Sequence, residues 1–149
     1  MKPEIWHQPG TFYILKINQN TKLGITRNFQ HRLKLYASQY KRSRFPLQLT
    51  IHYKEEYQEF WHLEFIETMV RRKLYPWVSP NSLEYIRPEI PTKKVIECYF
   101  EIKQYLNESN KYNWIKEYHT VGKLRFKLYK LFFLEHKEFF DSIDMTSTN

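Results

Sequence analysis

Little cysteine, little glycine and a long gap in acidic charge mark this chain of 149 residues. Cys98 is the only cysteine, which excludes an intramolecular disulfide and a cysteine-based zinc site. It stands in an apolar helical pattern and reads as a small buried hydrophobe. His7, His31, His52, His62, His119 and His136 show no metal-ligand spacing such as HExxH, and His62 reads as a surface residue. No apolar run approaches the roughly 18 residues of a membrane-spanning helix. The opening MKPEIWHQPG lacks the apolar core of a signal peptide. Together these lead to the expectation of a reducing, cytoplasmic setting with no membrane partner. There is no internal repeat and no low-complexity block.

Between Ile5 and Lys54 there is no Asp or Glu, while Lys16, Lys22, Arg27, Arg32, Lys34, Lys41, Arg42, Arg44 and Lys54 all fall there. Most of the net charge of +8 therefore sits in the first part of the chain. A surface of one sign suits a polyanion, most simply nucleic acid, DNA first with RNA left open. A solvated basic face kept for solubility is the plainer alternative. Aromatic residues, at 18%, are abundant enough to fill a core by themselves.

The stretch Thr11 to Arg32 organises the rest. Phe12, Ile14 and Ile17 mark a strand, Gln19-Asn20 a turn, and Lys22-Leu23-Gly24-Ile25-Thr26 a second strand. Gly10, Gly24 and Gly122 are the only glycines, and a glycine inside a strand pattern signals a bulge or a close approach to the backbone. Asn28 caps a first helix over Phe29 to Tyr40, with Leu33, Tyr36 and Ala37 toward the core. Leu47 to Tyr53 alternates as a third strand. A second helix runs from about Glu56 to Tyr75, with Arg71-Arg72-Lys73 in its last turn. Pro76, Pro80, Pro88 and Pro91 mark an irregular segment holding one short ordered piece near Asn81 to Ile86. A third helix spans Thr92 to about Glu108, a short one is expected at Trp114 to Tyr118, and a last one from about Val121 to Phe140.

This order of features resembles the GIY-YIG nuclease superfamily over about residues 11–86, most closely its T5orf172 or MUG113 branch. The first motif is Phe12-Tyr13-Ile14. The second is Lys22-Leu23-Gly24, with Lys22 where many members have tyrosine, and Arg32 stands eight residues after the glycine. The resemblance implies an α+β fold, a three-stranded mixed or antiparallel sheet flanked by helices. Residues 1–86 would form the catalytic core and 87–149 a helical extension packed on it, for DNA contact or a homodimer. The implied activity is a metal-dependent endonuclease hydrolysing DNA phosphodiesters with one Mg²⁺ or Mn²⁺.

By that resemblance the metal glutamate on the second helix is Glu67, with Glu64 as the fallback. The family's histidine position falls on Arg71, a departure from its pattern. Read from the residues alone, Glu67 and Arg71 form an i,i+4 surface pair of about 0.3–0.5 kcal/mol. Arg32 would grip the phosphate. Tyr13 or Lys22 would take the proton from water, and Tyr36, one turn after Arg32, would orient them. Groups of either type titrate near 10 unperturbed, so positive neighbours must depress them before they act as a base. Arg27, His31, Lys34, Lys41, Arg42 and Arg44 are candidates for nucleic-acid contact. Gly24, Asn81 and Glu84 are weaker site candidates, Asn81 and Glu84 filling alternative family positions after the second helix. Two rivals stay open: a non-catalytic nucleic-acid-binding module on the same scaffold, and a small helical interaction protein.

Overall fold

The computed structural model describes residues 3–39, 41, 47–78, 85–108 and 124–141. It is an α+β fold with a four-stranded antiparallel sheet flanked by helices, ordered β3-β1-β2-β4. Strands β1 (Gly10–Ile17) and β2 (Asn20–Thr26) form a hairpin. Its two-residue turn is Asn18-Gln19, one residue earlier than the expected Gln19-Asn20, and is possible because Asn18 accepts a φ of 55°. The Asn18 side chain then receives the Gln48 N–H at 3.0 Å, tying the turn to the approach of β3.

The sheet has four strands where three were expected. The extra one, β4 (Tyr85–Ile86), is two residues long and pairs with Lys22 and Thr21. Such a strand carries no periodicity, so only its tertiary partner defines it. Strand β3 (Leu49–Tyr57) runs further than the alternating pattern suggests, because Lys54 to Tyr57 stay paired with Tyr13 to Gly10. The register slips once, between Ile14 and Leu15. Those residues are thereby lost to helix α2 (Phe60–Lys73), which starts later than Glu56 and ends before Tyr75.

β1 is covered on both faces, which explains its nearly continuous burial. One face carries Tyr13, Leu15 and Ile17 against Phe29 and Tyr36 of α1 (Phe29–Gln39). Asn28 caps α1, its side-chain oxygen accepting the His31 N–H at 3.0 Å. Ala37 is exposed rather than in the core, and Phe29 fills that role. The other face carries Phe12, Ile14 and Leu23 against α2 and α3 (Thr92–Glu108), whose limits match the sequence pattern. The Phe12 and Tyr99 rings stack at 4.3 Å.

The last helical pattern is divided into α4 (Leu124–Glu135) and α5 (Lys137–Asp141), separated at His136. Tyr129, Phe132 and Phe140 join the same core as the hairpin. Lys73, drawn from the basic triplet, is fully buried. It donates to the Phe139 carbonyl, pairs with Glu101 at 3.1 Å and lies 3.5 Å from the Phe139 ring centroid. Cys98 is buried as expected, and burial pushes its thiol up to about 12. Among the described residues no helix is long and apolar enough to cross a membrane. Tyr40, the short helix at Trp114 to Tyr118, and Val121 lie outside the described residues.

Candidate functional site

The hairpin register sets Tyr13 opposite Gly24 and Leu15 opposite Lys22, so Tyr13 and Lys22 rise on the face covered by α1. The Tyr13 and Tyr36 hydroxyls share a hydrogen bond of 2.7 Å. The Lys22 ammonium lies 4.2 Å from the Tyr36 ring centroid and 5.0 Å from that of Tyr85. Strand β4 puts Tyr85 there, directly across from Lys22. Lys22 is thus held between two aromatic faces, an arrangement that stabilises a desolvated cation by about 2 kcal/mol. Tyr13 is 2% exposed and Lys22 5%.

Gly24 is required by this packing. A Cβ there would stand 2.5 Å from the Tyr13 hydroxyl oxygen and 2.7 Å from the carbon that bears it. The glycine in the strand pattern therefore marks a close approach, and the irregularity in pairing falls in β3 instead.

α2 approaches the same hairpin from the other side. Arg71 donates to the Leu23 carbonyl at 2.9 Å, between Lys22 and Gly24. The guanidinium thereby ties α2 to the strand next to the Lys22–Tyr85 pair. Arg71 also meets Glu67 at 3.4 Å. The Glu67 side chain is 18% exposed. Arg71, the departure from the family pattern, thus links the candidate metal glutamate to the strand that carries Lys22.

Arg32 is half-buried on α1, one turn before Tyr36, and Glu64 is half-buried on α2. Arg27, His31, Lys34 and Lys41 are exposed. Lys54, across from Tyr13 in the sheet, adds a cation 5.2 Å from the Phe29 ring. Arg42, Arg44, Asn81 and Glu84 lie outside the described residues. Sequence reasoning missed Tyr85 and Lys54 as neighbours of the site. Only strand pairing brings them there, and no local motif announces it.

Among the described residues no group of three or more His, Cys, Asp or Glu could enclose a metal ion. Mg²⁺ needs no such cage, since it keeps several waters and takes one or two carboxylates plus phosphate oxygens. Glu67, partly exposed and beside the hairpin, fits that looser mode, with Arg71 as a competing partner for its carboxylate.

A second polar cluster lies between β3 and α3. Glu55 meets Lys103 at 2.6 Å and accepts hydrogen bonds from Tyr99, at 3.0 Å, and from Tyr53. Burial alone would raise the Glu55 carboxyl, but bonds from Lys103, Tyr53 and Tyr99 outweigh it and hold it below the usual value. Burial and Glu55 push the Tyr53 phenol up to about 12. His62 is half-buried between Tyr57 and Trp61 rather than on the surface, and burial with the nearby Lys103 depresses its imidazole to about 4.

Compared with family models, curated proteins and solved structures, the chain matches none.

Proposed function

We propose that this protein is a GIY-YIG-type nuclease that hydrolyses phosphodiester bonds in DNA with a divalent metal ion. The observation that carries this reading is the meeting of Tyr13, Tyr36 and Lys22 at Gly24, on the strand to which Arg71 ties the helix of Glu67. A hydroxyl, an ammonium, a guanidinium and a carboxylate gathered around one hairpin suit a phosphate better than a neutral substrate.

Arg32 and the exposed Arg27, His31 and Lys34 attract and grip the backbone. Tyr36 fixes the Tyr13 hydroxyl by its hydrogen bond. Tyr13 as its phenolate, or Lys22 as its free amine, takes the proton from the attacking water, and the leaving oxygen takes a proton from solvent. Glu67 would hold a divalent ion, which when bound would supply positive charge at the scissile phosphate and the leaving oxygen. The burial of Tyr13 and Lys22 favours a second reading, a nucleic-acid-binding module without turnover.

The test is cleavage of supercoiled plasmid and of single-stranded DNA with Mg²⁺, Mn²⁺ or EDTA. Metal-dependent nicking that drops about 100-fold or more in Glu67→Ala supports the nuclease. Salt-sensitive binding without cleavage selects the module, and nicking that survives Glu67→Ala moves the metal ligand to Glu64.

A further inference from the structure

Two clefts flank Leu134 on the C-terminal helices, and Lys137 lines both. Toward α2 runs a groove of about 430 Å³ lined by Arg72, Lys130, Phe133, Leu134 and Lys137. Glu135 and Glu138 line the neighbouring cleft, toward Tyr105. The cation groove is also apolar: Leu134 is 71% exposed and the Arg72 guanidinium lies 5.6 Å from the Phe133 ring centroid. Arg72 is partly neutralised by Asp141 at 3.2 Å. Like charges gathered in one groove repel, and an anionic partner relieves that repulsion.

We propose that this groove binds a single nucleic-acid strand as a second contact, separate from the hairpin site. The choice of partner rests on the nucleic-acid reading above. Lysines and an arginine beside an exposed leucine and a half-buried phenylalanine can serve a flexible strand, phosphates on the cations and bases on the apolar surface. Position favours it too. Arg71 and Arg72 are consecutive on α2, separated by about 100° of rotation and about 1.5 Å of rise. Arg71 reaches the Leu23 carbonyl beside Lys22, and Arg72 lines the groove. The groove therefore opens from the same helix that is tied to the hairpin strand.

The experiment is anisotropy of a fluorescein-labelled 20-nucleotide single strand, titrated with the full-length protein across a NaCl series in EDTA. Lys130→Glu combined with Lys137→Glu weakens binding at least tenfold and lowers the salt slope by about 1.4, two phosphates' worth. Lys93→Glu, a reversal at an exposed position of α3, changes affinity less than about threefold. Unchanged affinity and slope in the double variant overturn the proposal, as does an equal loss in Lys93→Glu, which would report net charge alone. Tighter binding of a glutamate-rich peptide than of DNA, lost in the same double variant, also overturns it and assigns the groove to an acidic protein. Should the double variant melt below wild type, Lys130→Gln with Lys137→Gln carries the same test. Cleavage plays no part in this readout. A protein that binds through the groove yet never cuts sinks the nuclease alone, and a nuclease indifferent to these substitutions sinks the groove alone.

Discussion

Two tyrosine-rich clusters flank the sheet, and each holds a lysine against aromatic rings. On the α3 side, Lys103 lies 5.4 Å from the Tyr99 ring and 5.8 Å from that of Tyr57, with the Glu55 carboxylate in direct contact. On the α1 side, Lys22 lies over Tyr36 and Tyr85, and apart from Tyr85 the cluster comes from the stretch Ile5 to Lys54 that lacks acid. The two sets of side chains are alike, and the carboxylate is what separates their roles. Where Glu55 is present, every strong donor nearby turns toward it: Lys103, Tyr99 and Tyr53. The Tyr57 hydroxyl bonds that of Tyr99, and burial with these neighbours raises the Tyr99 phenol far above its ordinary value. That cluster clamps α3 to the sheet. The α1-side cluster instead brings a hydroxyl pair and a cation to a hairpin rimmed by exposed basic residues, which suits it to an incoming anion.

Substitutions should separate the two. The largest effect is expected at Gly24→Ala, where the new methyl displaces the Tyr13 ring; overpacking of this kind costs about 2–3 kcal/mol, read as a lower midpoint in urea, and DNA cleavage falls with it. A melt unchanged in midpoint would show that Tyr13 can move aside freely. On the opposite face, Tyr99→Phe removes a hydroxyl bonded to Tyr57 and Glu55. It should lower stability by about 1.5–2 kcal/mol while the cleavage rate per folded molecule stays at the wild-type level. A lost rate with a wild-type melt would place chemistry in the Glu55 cluster.

The smallest effect is one of pH. The His62 imidazole is held at about 4, against an ordinary 6.5, by burial and by Lys103, with Glu55 and Glu59 acting in the opposite direction. Below pH 6.5 the unfolded chain therefore binds a proton that the folded one refuses, and stability falls as pH drops toward 4. Partial exposure keeps the whole loss to about 1–2 kcal/mol. Urea midpoints at about pH 7 and about pH 4.5 should converge in His62→Gln, and an equal acid loss in that variant would assign the effect elsewhere.

Much of this arrangement is legible in the residues. The hairpin, the Asn28 cap, the close approach at Gly24 and the limits of α3 all follow from local pattern and turn chemistry. Tyr85 is not legible, because a two-residue strand beside prolines has no period and gains its meaning only from Lys22 across the ladder. Lys73 reads as one of three cations complementing the last turn of the second helix, yet the Phe139 carbonyl and Glu101 supply partners that let it be buried. Tyr53, Glu55, Tyr99 and Lys103 come from one strand and one helix far apart in the chain, so no spacing joins them.

The comparison meets its most direct test in Lys22→Met and Lys103→Met measured side by side, each for thermal midpoint and for metal-dependent nicking of supercoiled plasmid per folded molecule. The account predicts that Lys22→Met abolishes nicking while losing no more than about 2 kcal/mol, the worth of its contacts with the two rings. It predicts that Lys103→Met, by stranding Glu55, loses about 2 kcal/mol and keeps its rate. A Lys22→Met protein that nicks at the wild-type rate, or a Lys103→Met protein that is stable but inactive, would contradict it.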